Sequence, residues 1–294
     1  MKLDDLTPLR QLGHGSFFEV LLVEDRAGRR YALKRPLPGP RHAELRRLLA
    51  DEGRVGAQLL HPHIPRLVAA FPDDGALVFE LLDGVTLDEL LTDGAAVDLA
   101  DAAFVVLAVL DALGYVHGLP GHIVHRDVGP HNIVVTRSGD AALIDFGIAV
   151  DDDRERWTAA GALRGTLGYL SPEAIRGDAI DHRADLFAVV ALFYRLVVGR
   201  SPFAGRGPRP ILNAVARGAF GAVDDPALQG LFARGLAPHP GARFGDAAGV
   251  VAAVQGVLAA HRRAVDAPAA RRSWARAVAP RLVGAGGDRG PTLT

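Results

Sequence analysis

Apolar residues fall into three short runs near the start of the chain, at 9–12, 19–24 and 30–34, broken by Gly13 and Gly15 and by a turn at 26–29 containing Gly28. The third run, Arg30-Tyr31-Ala32-Leu33-Lys34, alternates as a half-buried strand does, and the three together predict strands. Over 41–60, Leu45, Leu48, Leu49, Val55 and Leu59 recur near helical spacing. That helix carries Gly53 and Gly56, each costing about 1 kcal/mol relative to Ala, so a mobile helix is expected. Residues 77–84 read as a strand running into a turn, and Thr86 with Asp88-Glu89 as a helix start. Leu99–His117 is a long apolar helix. Between Asn132 and Asp145 lie an apolar run, a Ser-Gly-Asp turn and a second apolar run, the pattern of a hairpin. A further apolar helix follows Asp185 and ends at Gly199-Arg200-Ser201-Pro202-Phe203. Beyond 262 the pattern gives way to Ala, Arg, Gly and Pro. There Arg262, Arg263, Arg271, Arg272, Arg276, Arg281 and Arg289 face only Asp266 and Asp288. A basic, flexible tail over 263–294 is expected, with 274–278 either a short docking helix or part of a solvated tail. No internal repeat is present.

Composition changes this picture little. A chain of 294 residues, 49% apolar, can bury one two-lobed domain or two modest ones. A formal net charge of −1 announces neither a nucleic-acid nor an anionic-membrane partner. The lack of cysteine excludes disulfides and thiolate chemistry. The acidic start, Met1-Lys2-Leu3-Asp4-Asp5-Leu6, does not read as a signal peptide. The stretches 102–116 and 186–198 are too short to cross a bilayer, and Asp111 and Arg195 interrupt them. Both are expected to be buried helices of a cytoplasmic protein without a membrane span. His61, His63, His117, His122 and His131 show no paired ligand spacing on one helix face, so no zinc site is expected.

The chemistry concentrates in His125-Arg126-Asp127-Val128-Gly129-Pro130-His131-Asn132 and in Asp145-Phe146-Gly147. A hairpin brings its ends together, so Asn132 and Asp145 can reach one ion, and two hard oxygen ligands suit Mg²⁺ carrying substrate phosphates. Asp127, just before the hairpin, supplies a carboxylate able to orient an attacking hydroxyl. These segments resemble the catalytic loop and metal-binding motif of eukaryotic-like (Hanks-type) serine/threonine protein kinases, in a bacterial-like form. The likeness extends across about residues 9–260.

The resemblance implies an α+β, two-lobed fold, with a small antiparallel-sheet lobe over 1–82 and a larger, mainly helical lobe over 83–262. It implies transfer of the γ-phosphoryl group of ATP to Ser or Thr hydroxyls of protein substrates, its own included, with Mg²⁺ or Mn²⁺ as the metal. Asp127 takes the role of base, and Asn132 and Asp145 hold the metal. Lys34, in Tyr31-Ala32-Leu33-Lys34, contacts phosphates and pairs with Glu52, with Glu44 as the rival carboxylate. Gly13-His14-Gly15-Ser16-Phe17-Phe18 resembles the glycine-rich loop, although a plain hairpin turn has the same look. ATP is implied to touch Leu12, Gly13, Gly15, Val20, Ala32, Phe79, Glu80, Leu82 and Val134, whose apolar members equally suit core packing. Gly165-Thr166-Leu167-Gly168-Tyr169-Leu170-Ser171-Pro172-Glu173 resembles the substrate-docking segment: Thr166 bonds the catalytic aspartate and Glu173 pairs with Arg243. Asp185 anchors the catalytic loop, and His125 is a backbone organiser. Residues 148–164 resemble an activation loop, with Thr158 either a phosphosite gripped by Arg126 or only a loop residue. Regulation through another chain is expected, a dimer through the small lobe being one arrangement.

Two positions depart from the pattern. Phe18 replaces the third glycine of the loop, and Gly129 stands where the family carries a lysine that neutralises the transferring phosphate. Losing one such donor is expected to slow transfer by about 10²–10³. A second reading is therefore a pseudokinase that binds nucleotide as a regulatory scaffold. A third, a small-molecule kinase of the antibiotic-phosphotransferase type, fits poorly with a complete docking segment.

Overall fold

The computed structural model describes residues 1–15, 17–92, 94–121, 123–146, 166–203, 205 and 207–283, with the side chains of Thr166 and Val283 excepted. The chain forms two compact units.

The first unit gathers Met1–Leu90 with His131–Ile148 and the chain from Trp274 onward. Strands β1 (Thr7–His14), β2 (Phe18–Glu24), β3 (Arg30–Pro36), β4 (Leu67–Phe71) and β5 (Ala76–Glu80) form one antiparallel sheet in the order β1-β2-β3-β5-β4. Strand β4 escaped the sequence reading, because Leu67-Val68-Ala69-Ala70-Phe71 is too uniformly apolar to show a period. On one face of the sheet Leu6, Leu21, Val23, Leu33 and Val78 pack together. Across the sheet lies helix α1 (His42–Gly56), packed on β3, β4 and β5. Its Gly53 is not a weak point left by chance: a Cβ there would lie 2.8 Å from Leu77 Cδ2 and 3.5 Å from Ala70 Cβ.

A second sheet, β6 (Gly84–Thr86), β7 (Ile133–Thr136) and β8 (Ala141–Leu143), belongs to the same unit. The expected hairpin is β7–β8. Strand β6 adds to its edge, where a Cβ on Gly84 would run into the Val135 carbonyl. The short helix α2 (Leu87–Leu90) starts with a reciprocal cap. Glu89 Oε2 accepts from the Thr86 N–H at 2.8 Å, and Thr86 Oγ1 accepts from the Glu89 N–H at 3.3 Å.

The division differs from a single cut near residue 82. The hairpin joins the N-terminal unit because Leu143 N–H donates to His63 O at 2.8 Å, His63 Nδ1 meets Ala141 O at 2.7 Å, and Arg137 pairs with Asp83 at 2.7 Å.

The second unit gathers Leu91–Pro130 with Ala149–Ser273. Its described helices are α3 (Leu99–His117), α4 (Pro172–Arg176), α5 (Arg183–Val198), α6 (Pro208–Arg217), α7 (Pro226–Gly235) and α8 (Ala247–Ala260), then α9 (Ala267–Val283), which ends in the first unit. α3 packs on α5 and α8, and α7 on both. Helix α3 has the expected bounds; its 19 residues are long and apolar enough to cross a bilayer, which the narrower stretch 102–116 was not, and 61% of its most apolar window is buried. Arg195, a charge within the apolar run of α5, is buried and turns its guanidinium onto the Gly199 carbonyl at the helix end.

Helix α9 corrects the expectation of a flexible tail. Ala270, Trp274 and Val278, four residues apart on one face, are all buried. Three contacts hold the start of this segment to the first turns of α3. Arg263 grips Asp98 at 2.6 Å, Ser273 donates to Asp101 at 2.6 Å, and Arg271 lies 5.9 Å from the Phe104 ring centroid. Charge content suggested solvation, but a stripe at i, i+4, i+8 suffices to dock a helix.

Candidate active site

Lys34 sits mid-strand, opposite Val20 on β2 and Leu77 on β5. Because Gly53 lets α1 lie close to the sheet, Glu52 reaches Lys34. The ammonium donates to Glu52 Oε1 at 2.9 Å, to Glu52 Oε2 at 3.0 Å and to Asp145 Oδ1 at 2.8 Å. Lys34 and Glu52 are 7% and 6% exposed, so the pair is desolvated and its geometry is restricted. The rival carboxylate, Glu44, is on the surface and pairs with Arg41 at 2.7 Å.

One ammonium serves two carboxylates here. Burial alone would lower the Lys34 pKa, but Asp145 and Glu52 outweigh it and raise that pKa above the ordinary lysine value. Burial also raises the Glu52 pKa; Lys34 opposes that shift and Asp145 adds to it. Lys34 shifts upward because two anions face it, and Glu52 shifts upward chiefly because it is buried, with the Asp145 charge adding to that. Lys34 stays protonated, and the ionised trio carries a net charge of about −1, which favours an arriving cation.

Asp145 follows β8 with φ 56°, a left-handed conformation that Asp tolerates better than most residues. Ile133 pairs with Leu143, and Ile144 N–H donates to Asn132 O at 2.9 Å, so Asn132 and Asp145 leave the open end of the hairpin side by side. A carboxylate and a side-chain amide oxygen at that mouth are hard donors of the kind Mg²⁺ takes, and the excess negative charge fits a divalent ion.

On the sheet face that carries Lys34, Leu12, Leu22 and Ala32 are buried together, with Val20 and Leu81 packed against them. Phe79 lies opposite Ala32, and Glu80 donates its N–H to Arg66 O at 2.9 Å. Gly13 is buried, Gly15 is exposed, and Leu82 is half-buried. Val134 is on β7, in the second sheet. The cavity of about 170 Å³ beside Gly53 and Leu77 is apolar, and none of Lys34, Glu52 and Asp145 lines it.

In the second unit Asp185, 1% exposed at the start of α5, holds the loop that carries Asp127. Its Oδ2 accepts from the His125 N–H at 2.8 Å and its Oδ1 from the Arg126 N–H at 2.7 Å. The Asp127 N–H in turn donates to His125 Nδ1 at 3.3 Å. Arg126 takes φ 68°, a conformation that costs about 1–3 kcal/mol and persists only where surroundings impose it. Sequence reasoning missed His117, whose Nε2 lies 2.8 Å from Asp185 Oδ2. Its only signal was a polar residue closing an apolar helix.

Arg243 and Glu173 form a two-pronged pair, both contacts at 2.7 Å, with both side chains almost wholly buried. Burial would raise the Glu173 pKa, but the bonds from Arg243 lead a set that carries it below the ordinary carboxylate value. The same guanidinium donates to Ala237 O at 2.8 Å and lies 4.8 Å from the Phe187 ring centroid. The backbone of Thr166 opens a 3-10 turn over Thr166–Tyr169. The Thr166 side chain, Gly147, and Thr158 with residues 148–164 lie outside the described residues.

The sequence profile described as the protein kinase domain matches residues 6–224. A probable serine/threonine-protein kinase of Streptomyces coelicolor, SCO3848, is 35% identical over 67% of this chain and 30% of its own length. The serine/threonine-protein kinase PknD of Mycobacterium tuberculosis is 31% identical over 85% of this chain and 39% of its own. The tyrosine-protein kinase MasK of Myxococcus xanthus is 29% identical over 71% of this chain. The chain spans about a third of the length of these curated relatives. A profile matched over more than two thirds of its residues places the chain in the protein kinase domain family.

Proposed function

We propose that this chain is a serine/threonine protein kinase that moves the γ-phosphoryl group of ATP to hydroxyls of protein substrates, including its own. The observation that supports this most is the trio of buried Lys34, buried Glu52 and half-buried Asp145, closed at 2.8–3.0 Å. A lysine kept charged and fixed by Glu52 can orient phosphates without moving far. Asn132 and Asp145 would hold Mg²⁺, which supplies charge neutralisation at the phosphates. Asp127, on a loop pinned through Asp185, orients the attacking hydroxyl and takes its proton as the new O–P bond forms and ADP leaves. The names of SCO3848 and PknD favour Ser and Thr as acceptors; that of MasK makes Tyr the alternative to test.

The experiment is transfer of labelled phosphate from ATP with Mg²⁺ to the chain and to a generic basic protein, beside Asp127→Asn. Label on Ser or Thr in the wild type, reduced at least about a thousandfold in the variant, supports the reading. Label on Tyr changes the acceptor class. Nucleotide binding without label in either protein overturns the reading in favour of the pseudokinase, and transfer restored by Gly129→Lys would then assign the cause to Gly129.

A further inference from the structure

Phe18 opens β2, where the resemblance expects the third glycine of the loop. It pairs in register with Pro36, while Val20 pairs with Lys34. Side chains two apart on a strand share a face, so Phe18 and Val20 lie on the same side of the sheet as Lys34 and Ala32. The ammonium of Lys34 is 5.4 Å from the Phe18 ring centroid, within the range of about 6 Å for attraction between a cation and a ring face. The backbone here is held on both sides: Gly15 N–H donates to Phe18 O at 2.9 Å, and Leu37 N–H donates to Phe17 O at 2.8 Å. Phe17 engages a different cation, Arg41, at 5.1 Å from its ring centroid.

We propose that Phe18 is a positioning residue for nucleotide phosphates, acting through Lys34. This rests on the nucleotide-site reading of the Lys34 cluster. Two carboxylates already face the ammonium, and a third would repel an incoming phosphate. An aromatic face attracts the ammonium through its quadrupole and adds no net charge. When a nucleotide phosphate takes the place of Asp145 on Lys34, the ring contact remains and restrains the ammonium. The ring therefore strengthens nucleotide binding and leaves the transfer step nearly untouched. A glycine at this position leaves Lys34 without that contact.

The test is nucleotide affinity across a series at position 18, read as the dissociation constant for Mg·ADP by calorimetry and as KM and kcat for ATP. Phe18→Leu keeps bulk and removes the aromatic face. It is expected to weaken binding about three- to tenfold, the equivalent of one partly desolvated contact of this kind, with kcat within about twofold. Phe18→Tyr is expected to restore wild-type affinity. Stepwise ring fluorination of Phe18 drains the quadrupole while nearly preserving shape, and affinity should fall with each fluorine. This arm keeps the test open if Phe18→Leu folds poorly. Affinity flat across the fluorine series, or equal losses in the Leu and Tyr variants, overturns the proposal while leaving the nucleotide site standing. Absence of nucleotide binding in the wild type overturns the site reading and this proposal together.

Discussion

Gly53 and Gly56 lie one turn apart on α1, and the structure predicts different outcomes for the same substitution. Ala in place of Gly inside a helix gains about 1 kcal/mol from backbone entropy alone. At Gly56 the added Cβ would rest 3.5 Å from Leu67 Cδ2 and 3.6 Å from Leu67 Cβ, ordinary contact distances. Gly56→Ala should therefore stabilise the chain, by about 0.5 kcal/mol given its place at the helix end. At Gly53 the Cβ would meet Leu77 Cδ2 at 2.8 Å. Leu77 is 2% exposed, but the methyl is the far end of a flexible side chain and borders the apolar cavity of about 170 Å³, so the clash falls at the low end of the range of about 1–3 kcal/mol that overpacking costs. Set against the helix gain, Gly53→Ala should come out near neutral, about 1 kcal/mol short of what the helix alone would give. Whatever lift of α1 remains draws Glu52 from Lys34, so nucleotide affinity should fall in Gly53→Ala and hold in Gly56→Ala. Urea denaturation of both variants, with Mg·ADP binding, measures each quantity. A Gly53→Ala protein stabilised by the full helix gain of about 1 kcal/mol would refute the close-packing argument. So would equal stabilisation of both variants.

Three further outcomes are expected. Arg243→Ala leaves Glu173 buried without its partner and should cost about 3–5 kcal/mol in denaturant unfolding; a loss under about 1 kcal/mol would mean the pair is not desolvated. The Glu173 pKa is depressed in the folded state, so its contribution is complete above the unfolded value of about 4.3 and is lost as pH falls through the lower folded value; Glu173→Gln should flatten that part of the acid-stability curve, and an unchanged slope counts against the assignment. Trp274→Ala should cost about 3–5 kcal/mol if α9 is docked as described, and almost nothing if the segment is a solvated tail.

Much of this protein is local in origin, and the sequence by itself determined that part. The reciprocal cap at Thr86 and Glu89, the 19-residue span of α3 and the Ser-Gly-Asp turn of β7–β8 each depend on residues within a few positions of one another. The spacing of Asn132 and Asp145 across the hairpin belongs to the same class, since a hairpin's ends meet wherever it forms. Lys34, Glu52, Glu173 and Arg243 were legible only through likeness to a family, because nothing local says which distant carboxylate or cation a side chain will meet. The tertiary structure alone decided the rest. Gly53 read as a flaw in a helix until Leu77 was seen behind it. The 263–283 segment read as a charged tail until Ala270, Trp274 and Val278 were found buried along one face. Phe18 read as a lost glycine until its ring was found beside the Lys34 ammonium. The reason is the same in each case. Propensity and pattern act along the chain, whereas close approach, burial and charge balance are set by residues far away in sequence, and only the folded chain states which they are.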